Sequence, residues 1–179
     1  MAFEHTGSAE DYAAAIAVGE ESSAYCKESF TPDQVQYSKL AGAHWQVADA
    51  LCAGGEYDRA LRHINIALDI LIERHTENDS DSMFALYRKA CILLRMGDYV
   101  AAEAGLEKST LGYVDFFGIA HPNIYTMYRT WGDCCVKLNN HDKAVYAYSK
   151  SLETAKLIFA PGSEMITAVQ NLLAEQCKI

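Results

Sequence analysis

The chain has 179 residues, of which 50% are hydrophobic, enough for a sizeable core and too many for a disordered tail. Its 24 acidic residues outnumber its 15 lysines and arginines, and the formal charge of -9 disfavours nucleic acid and membrane surfaces as partners. Because we find neither a signal-peptide pattern nor a long apolar run, we expect a cytoplasmic protein.

The first predicted element is a leading helix over residues 8–29, in which Ser8 is a capping residue and apolar residues follow at helical spacing. The next helix is predicted to begin at Pro32, because Thr31 to Gln34 form a capping box with proline at the first helical position. Three helix pairs then follow in the pattern. They cover 32–53 with 57–75, 81–96 with 99–117, and 122–138 with 141–159.

A final helix is predicted over residues 163–178. Pro161 and Gly162 interrupt the preceding helix, and Ser163 is a suitable cap for the next one. The pattern as a whole predicts an all-α protein of about eight antiparallel helices.

The turn within each helix pair repeats along the chain. Gly55-Glu56-Tyr57 recurs as Gly97-Asp98-Tyr99 and as Asn139-Asn140-His141, with the same spacing both times. Each turn lies between a small residue and an alanine, and a large apolar residue follows one helical turn later. The small residues are Ala48, Ala90 and Gly132, and the alanines are Ala60, Ala102 and Ala144. The large apolar residues are Ile64, Leu106 and Tyr148. Small residues let helices approach closely, so a period of about 42 residues predicts stacked helix-turn-helix units.

This pattern resembles the tetratricopeptide repeat. A period longer than the usual ~34 residues is similar to that of kinesin light chains, whose Gly-x-x-His-Pro linker resembles residues 118–122. The resemblance implies a right-handed α-solenoid forming one domain over residues 1–179. Its expected parts are the leading helix 8–29, repeats at 32–75, 81–117 and 122–159, and a capping helix at 163–178.

Motifs for catalysis, cofactor binding or metal binding are absent from the sequence, so we expect no enzyme, no cofactor and no metal. Cys134 and Cys135 point about 100° apart on a helix and are interpreted as core thiols. His121 is interpreted as a structural linker, and His44 and Trp131 as packed core residues. All six cysteines fall in helical patterns and are expected to be free thiols. They are Cys26, Cys52, Cys91, Cys134, Cys135 and Cys177.

The resemblance also implies a concave groove lined by the first helix of each pair. The predicted groove residues are Trp45, Tyr87, Arg129 and Asn171, then Asp49, Cys91 and Asp133, then Arg95 and Lys137. This surface is aromatic at its N-terminal end and basic toward its middle, which is typical of binding hot spots. We therefore predict an acidic peptide with an aromatic or aliphatic anchor as the ligand.

Two features favour other interpretations of the same residues. Arg95 and Lys137 lie in the last turns of their helices, where cations complement the helix dipole without any ligand. Asp49 and Asp133 could pair with basic residues of adjacent repeats. Trp45 and Asp49 replace the Lys and Asn with which chaperone-binding domains of this family grip a terminal carboxylate, and we expect no such clamp.

The sequence thus predicts a scaffold or adaptor that binds a protein or peptide partner, whose identity it leaves open together with the oligomeric state. One alternative is a constitutive structural subunit of a larger assembly. Another is a regulatory domain acting beside an enzyme, since the helical domain of SET- and MYND-domain methyltransferases is similar to long repeats of this kind.

Overall fold

The computed structural model describes residues 9–29, 38–74 and 79–177, which form eight α-helices and no strand. The helices are α1 (Ala9–Ser29), α2 (Ser38–Ala53), α3 (Tyr57–Arg74), α4 (Ser80–Met96), α5 (Tyr99–Phe117), α6 (Pro122–Lys137), α7 (His141–Ile158) and α8 (Glu164–Gln176). The prediction of an all-α chain is confirmed. The predicted caps at Ser8 and Thr31 lie outside the described residues, as does the predicted helix start at Pro32.

The chain divides into two compact units, residues 1–92 and 93–179, and the boundary falls within α4. In the first unit, α1 and α3 both pack against α2. In the second, α6 packs against α5 and α7, and α7 packs against α8. The predicted single repeat domain with its internal boundaries stays a prediction.

Each helix pair closes through the same turn. The residue at the turn has a left-handed conformation, with φ of 83° at Gly55, 89° at Gly97 and 55° at Asn139. The amide of the next residue donates to the carbonyl oxygen five positions earlier, at 2.9, 3.0 and 2.9 Å respectively. This is the bond of a Schellman motif, which satisfies carbonyl groups left open at a helix end. The repeated turn motif therefore has a direct structural cause.

Side chains cap the following helices. Asp98 accepts from the amide of Ala101 and Asn140 accepts from the amide of Lys143, both at 3.2 Å. Ser163 caps α8 as predicted, by accepting from the amide of Ile166. Each of these bonds satisfies an amide that has no partner within its helix.

The core of the first unit is formed by α2, α3 and α4. Its fully buried members include Ala48, Leu51 and Ile64, so the small and large positions of the first repeat lie together. His44 is 3% exposed, and its Nδ1 lies 3.0 Å from Nδ1 of His63 on α3. The interpretation of His44 as a packed core histidine is confirmed.

The core of the second unit contains Trp131, Cys134 and Cys135, which are 2%, 0% and 0% exposed. The interpretation of these residues as core side chains is confirmed. Burial raises the pKa of Cys134 to about 11 and that of Cys135 to about 12, so both thiols remain protonated at neutral pH.

His121 caps α6, with its Nδ1 accepting from the amide of Asn123 at 3.1 Å. Its ring packs against the rings of Tyr113 and Phe117, at centroid distances of 5.6 and 5.1 Å. These contacts account for His121 structurally, and they confirm its interpretation as part of a linker.

Candidate peptide-binding surface

Five side chains of α2 and α4 form what we call the aromatic cluster, namely Trp45, Asp49, Phe84, Tyr87 and Arg88. The ring centroids of Trp45 and Phe84 are 5.2 Å apart, and those of Phe84 and Tyr87 are 6.0 Å apart. The guanidinium carbon of Arg88 lies 5.2 Å from the centre of the Phe84 ring, within the range of a cation–π interaction. Arg88 Nη2 also lies 2.8 Å from Asp49 Oδ2.

The cluster follows from helical spacing. Trp45 and Asp49 are four residues apart on α2, and Phe84 and Arg88 are four residues apart on α4, so each pair occupies one helix face. The aromatic members of the two pairs meet, and so do their charged members. The Arg88 and Asp49 side chains remain 35% and 36% exposed, which leaves the ion pair accessible to a ligand.

Phe84 and Arg88 were not among the predicted groove residues. The prediction compared residues one full period apart and so paired Trp45 with Tyr87. The two helices instead meet with an offset of almost one turn, which brings residue 84 opposite residue 45. An aromatic residue and a cation four positions apart, flanking Tyr87, were the available signal in the sequence.

Tyr87 and Cys91 lie deeper than the rest of the predicted surface. Tyr87 is 8% exposed, and burial raises the pKa of the Cys91 thiol to about 12. Both side chains therefore contribute more to helix packing than to the open face of α4.

On α6, Asp133 is half-buried and accepts a hydrogen bond of 2.7 Å from the hydroxyl group of Tyr148 on α7. Burial raises the pKa of Asp133, while the Tyr148 hydrogen bond and the charges of Arg129 and Lys137 oppose that increase. The structure thus brings Arg129, Asp133 and Lys137 into one electrostatic group with two cations and one carboxylate. Arg129 is half-buried and Lys137 is exposed.

The remaining predicted residues are at helix ends or on exposed faces. Arg95 and Lys137 are exposed in the last turns of α4 and α6, where they also complement the helix dipoles. Asn171 is exposed on α8. Asp49 does pair with a cation of the adjacent repeat, as the alternative interpretation expected, but that cation is Arg88.

Neither a metal site nor a membrane span is found in the described parts of the chain. Residues 9–29, 38–74 and 79–177 contain no group of three or more His, Cys, Asp or Glu side chains placed to hold a metal ion. Over the same ranges, no helix combines the length and hydrophobicity needed to cross a membrane.

Comparison with family models gives a match over part of the chain. Residues 81–157 match the family model described as tetratricopeptide repeat. Residues 81–157 are therefore similar to the tetratricopeptide repeat, and the fold of the chain is an all-α solenoid like that of tetratricopeptide-type proteins. The comparison with curated proteins gave no match.

Solved structures extend the likeness beyond the matched residues. BtubC (BKLC) from P. vanneervenii superposes with a TM-score of 0.81 at 17% identity, over 94% of this chain and 66% of that one. A kinesin-light-chain-type protein of Podospora anserina with nearly identical TPR-like repeats gives 0.78 at 13% identity, over 94% and 79%. The chain thus spans just under two thirds of the length of BtubC, and the similarity to both proteins is one of fold.

Proposed function

We propose that the chain is a non-catalytic scaffold that binds a peptide segment of a partner protein on its inner helices. The aromatic cluster is the observation that carries this proposal. It combines a half-buried tryptophan, a phenylalanine and an arginine with an accessible ion pair, and such groups dominate the energetics of protein interfaces.

The cluster favours an apolar or aromatic anchor in the ligand. Arg88 is held by Asp49 and by the Phe84 ring, so its charge is largely compensated before any ligand arrives. Its planar group can still stack on a ligand side chain, as Trp45 and Phe84 can. A bulky apolar side chain therefore gains more here than a charged one.

The residues of α6, in the second unit, favour acidic side chains in a ligand. Arg129 and Lys137 outnumber the single carboxylate of Asp133, which already accepts a hydrogen bond from Tyr148. This local excess of positive charge stands out in a chain with a formal charge of -9. A ligand carboxylate placed there would be attracted, with a strength that declines as salt is added.

The test uses fluorescein-labelled peptides in which one tryptophan is flanked by glutamates or by lysines. We expect the acidic peptide to bind more tightly than the basic one in fluorescence anisotropy. Replacing Arg95, Arg129 and Lys137 together with glutamate should weaken binding of the acidic peptide at least about tenfold, about 1.4 kcal/mol.

The control variant carries Arg62→Glu, Lys108→Glu and Lys156→Glu, which change the net charge equally but lie on α3, α5 and α7. It should bind the acidic peptide with nearly unchanged affinity. Equal losses in the two variants would show that only net charge matters and would refute the proposed site. Trp45→Ala should weaken both peptides, because the anchor is common to them.

A further inference from the structure

A groove lies between α1 and α2, on a part of the first unit that the proposed function does not use. It has a volume of about 760 Å³ and is lined by Val18 and Tyr25 of α1 and by Gly42 and Gln46 of α2, among others. Val18 and Tyr25 are 63% and 64% exposed, so the groove presents two large apolar side chains to solvent.

The repeat itself shows what such a groove accommodates. Phe84 and Arg88 are the residues through which α4 meets the preceding inner helix, α2. One repeat period earlier, the same two positions on α2 are Gly42 and Gln46. Because these residues line the groove, the groove lies where an inner helix preceding α2 would pack.

Helix α8 has the sequence position of an inner helix, and it leaves the corresponding faces exposed. Its counterparts of Trp45 and Asp49, three periods later, are Asn171 and Glu175, and both are exposed. Ala174 is also exposed, although its counterparts Ala48, Ala90 and Gly132 are all buried in helix packing.

We propose that the chain associates head to tail, with α8 of one copy packed in the α1–α2 groove of a second copy. If α8 meets α2 of the second copy with the same offset that α2 and α4 have within one chain, Asn171 would lie beside Gly42, which has no side chain to obstruct it. Glu175 would lie beside Gln46, whose amide group is a donor for its carboxylate. This pair replaces the ion pair of Asp49 with Arg88.

The other exposed face of α8 fits the same arrangement. Ala174 and Cys177 lie on the face that inner helices turn toward an outer helix, and in the second copy α1 stands at that place with Val18 and Tyr25. A small residue on α8 opposite larger ones on α1 is the combination seen within the repeats. The interface joins two different surfaces, so a pair of copies still has one free groove and one free α8 and can add further copies.

Two variants block the two halves of this interface. Gly42→Glu should fill the groove and repel α8, which carries Glu164 and Glu175 and no cation. A Cβ atom at Gly42 meets nothing within 4 Å, so the variant chain itself should fold normally. Ala174→Arg should block α8 at an exposed position. The matched controls are Gly42→Ala for the groove and, for α8, Ala104→Arg at an exposed position of α5.

The measurement is sedimentation equilibrium of the full chain under reducing conditions, at concentrations up to about 1 mM, where even weak interfaces associate. We expect the average mass of the wild type and of both controls to rise with concentration. Gly42→Glu alone and Ala174→Arg alone should remain monomeric. Their equimolar mixture should form a dimer of one chain each, because one intact groove then meets one intact α8.

Three results would overturn the proposal. A wild type that stays monomeric throughout would leave the groove for a different partner. Variants that associate like the wild type would place the interface elsewhere. Single variants that are monomeric and also fail to complement each other, while circular dichroism shows both folded, would indicate a symmetric interface and not a head-to-tail one.

Discussion

The aspartate at one repeat position has different roles in the two units. Asp49 and Asp133 lie two repeat periods apart on inner helices. In the first unit, Asp49 pairs with Arg88 of the neighbouring inner helix, and both side chains stay about one-third exposed. In the second unit, Asp133 accepts from Tyr148 of its own outer helix.

The residue at the large position of the outer helix accounts for the difference. In the first repeat this residue is Ile64, which cannot donate a hydrogen bond, so Asp49 remains available to Arg88. In the third repeat it is Tyr148, which is 2% exposed and whose hydroxyl group requires a buried acceptor. An outer-helix side chain thus decides whether an inner-helix carboxylate belongs to the surface or to the core.

The largest expected effect concerns the glycine that accommodates Tyr148. A Cβ atom at residue 132 would lie 2.5 Å from Tyr148 Cε1, so Gly132→Ala should destabilise the second unit by about 1–3 kcal/mol. In a Tyr148→Leu chain, which has already lost the hydroxyl group, Gly132→Ala should cost much less, because alanine with a branched aliphatic residue is the combination of Ala48 with Ile64. Gly42→Ala, in open space, should instead stabilise by about 0.4–1 kcal/mol.

Urea unfolding followed by fluorescence separates the units, since the two tryptophans, Trp45 and Trp131, lie one in each. In a Trp45→Phe background, the emission of Trp131 reports the second unit alone. A Gly132→Ala variant as stable as its parent would contradict the packing described for Tyr148.

The hydrogen bond of Tyr148 gives the next effect. Tyr148→Phe should cost about 1–2 kcal/mol, because the half-buried Asp133 carboxylate loses its donor. The same unfolding experiment measures the loss. Tyr146→Phe is the control, since Tyr146 is exposed on the same helix and its replacement should change the stability much less.

The pH dependence of the second unit should carry a contribution from Asp133. Burial raises the pKa of this group, so in the acid range just above an ordinary aspartate pKa the folded chain binds more protons than the unfolded chain. Its contribution to stability therefore increases as the pH falls through that interval.

Unfolding of the wild type and of Asp133→Asn, compared at several pH values, isolates this contribution. The wild type should gain relative to the variant as the pH falls toward about 4, near the ordinary range of aspartate. Carboxyl NMR of Asp133 gives a second measurement, and Tyr148→Phe should raise its titration midpoint further. A midpoint at or below the ordinary value would refute this account.

The ion pair of the first unit gives the smallest effect. Because Arg88 and Asp49 are each about one-third exposed, solvent screens their attraction, and a double-mutant cycle should measure a coupling of about 0.2–1 kcal/mol. The cycle uses Asp49→Ala, Arg88→Ala and the double variant. Every chain of the cycle also carries Trp131→Phe, so that the emission of Trp45 alone follows the unfolding of the first unit. A coupling larger than that of Asp133 with Tyr148 would contradict the expectation that the exposed ion pair of the first unit is weaker than the hydrogen bond of the second.

Part of the surface could be predicted and part could not. The period of the sequence placed Trp45, Asp49, Arg129 and Lys137 on inner helices, and the structure has helices at these residues, α2 and α6. It did not find Phe84 or Arg88, because the offset between two packed helices depends on the shapes of the residues between them.

The sequence alone determined the helices, the turns and the repeat fold. These depend on local causes that recur once in every repeat, such as the left-handed residue at each turn and the capping side chains. Only the tertiary structure decided which carboxylate pairs outward and which one accepts a hydrogen bond in the core. That choice depends on contacts between residues far apart in the chain, where one hydroxyl group or one missing Cβ atom changes what can fit.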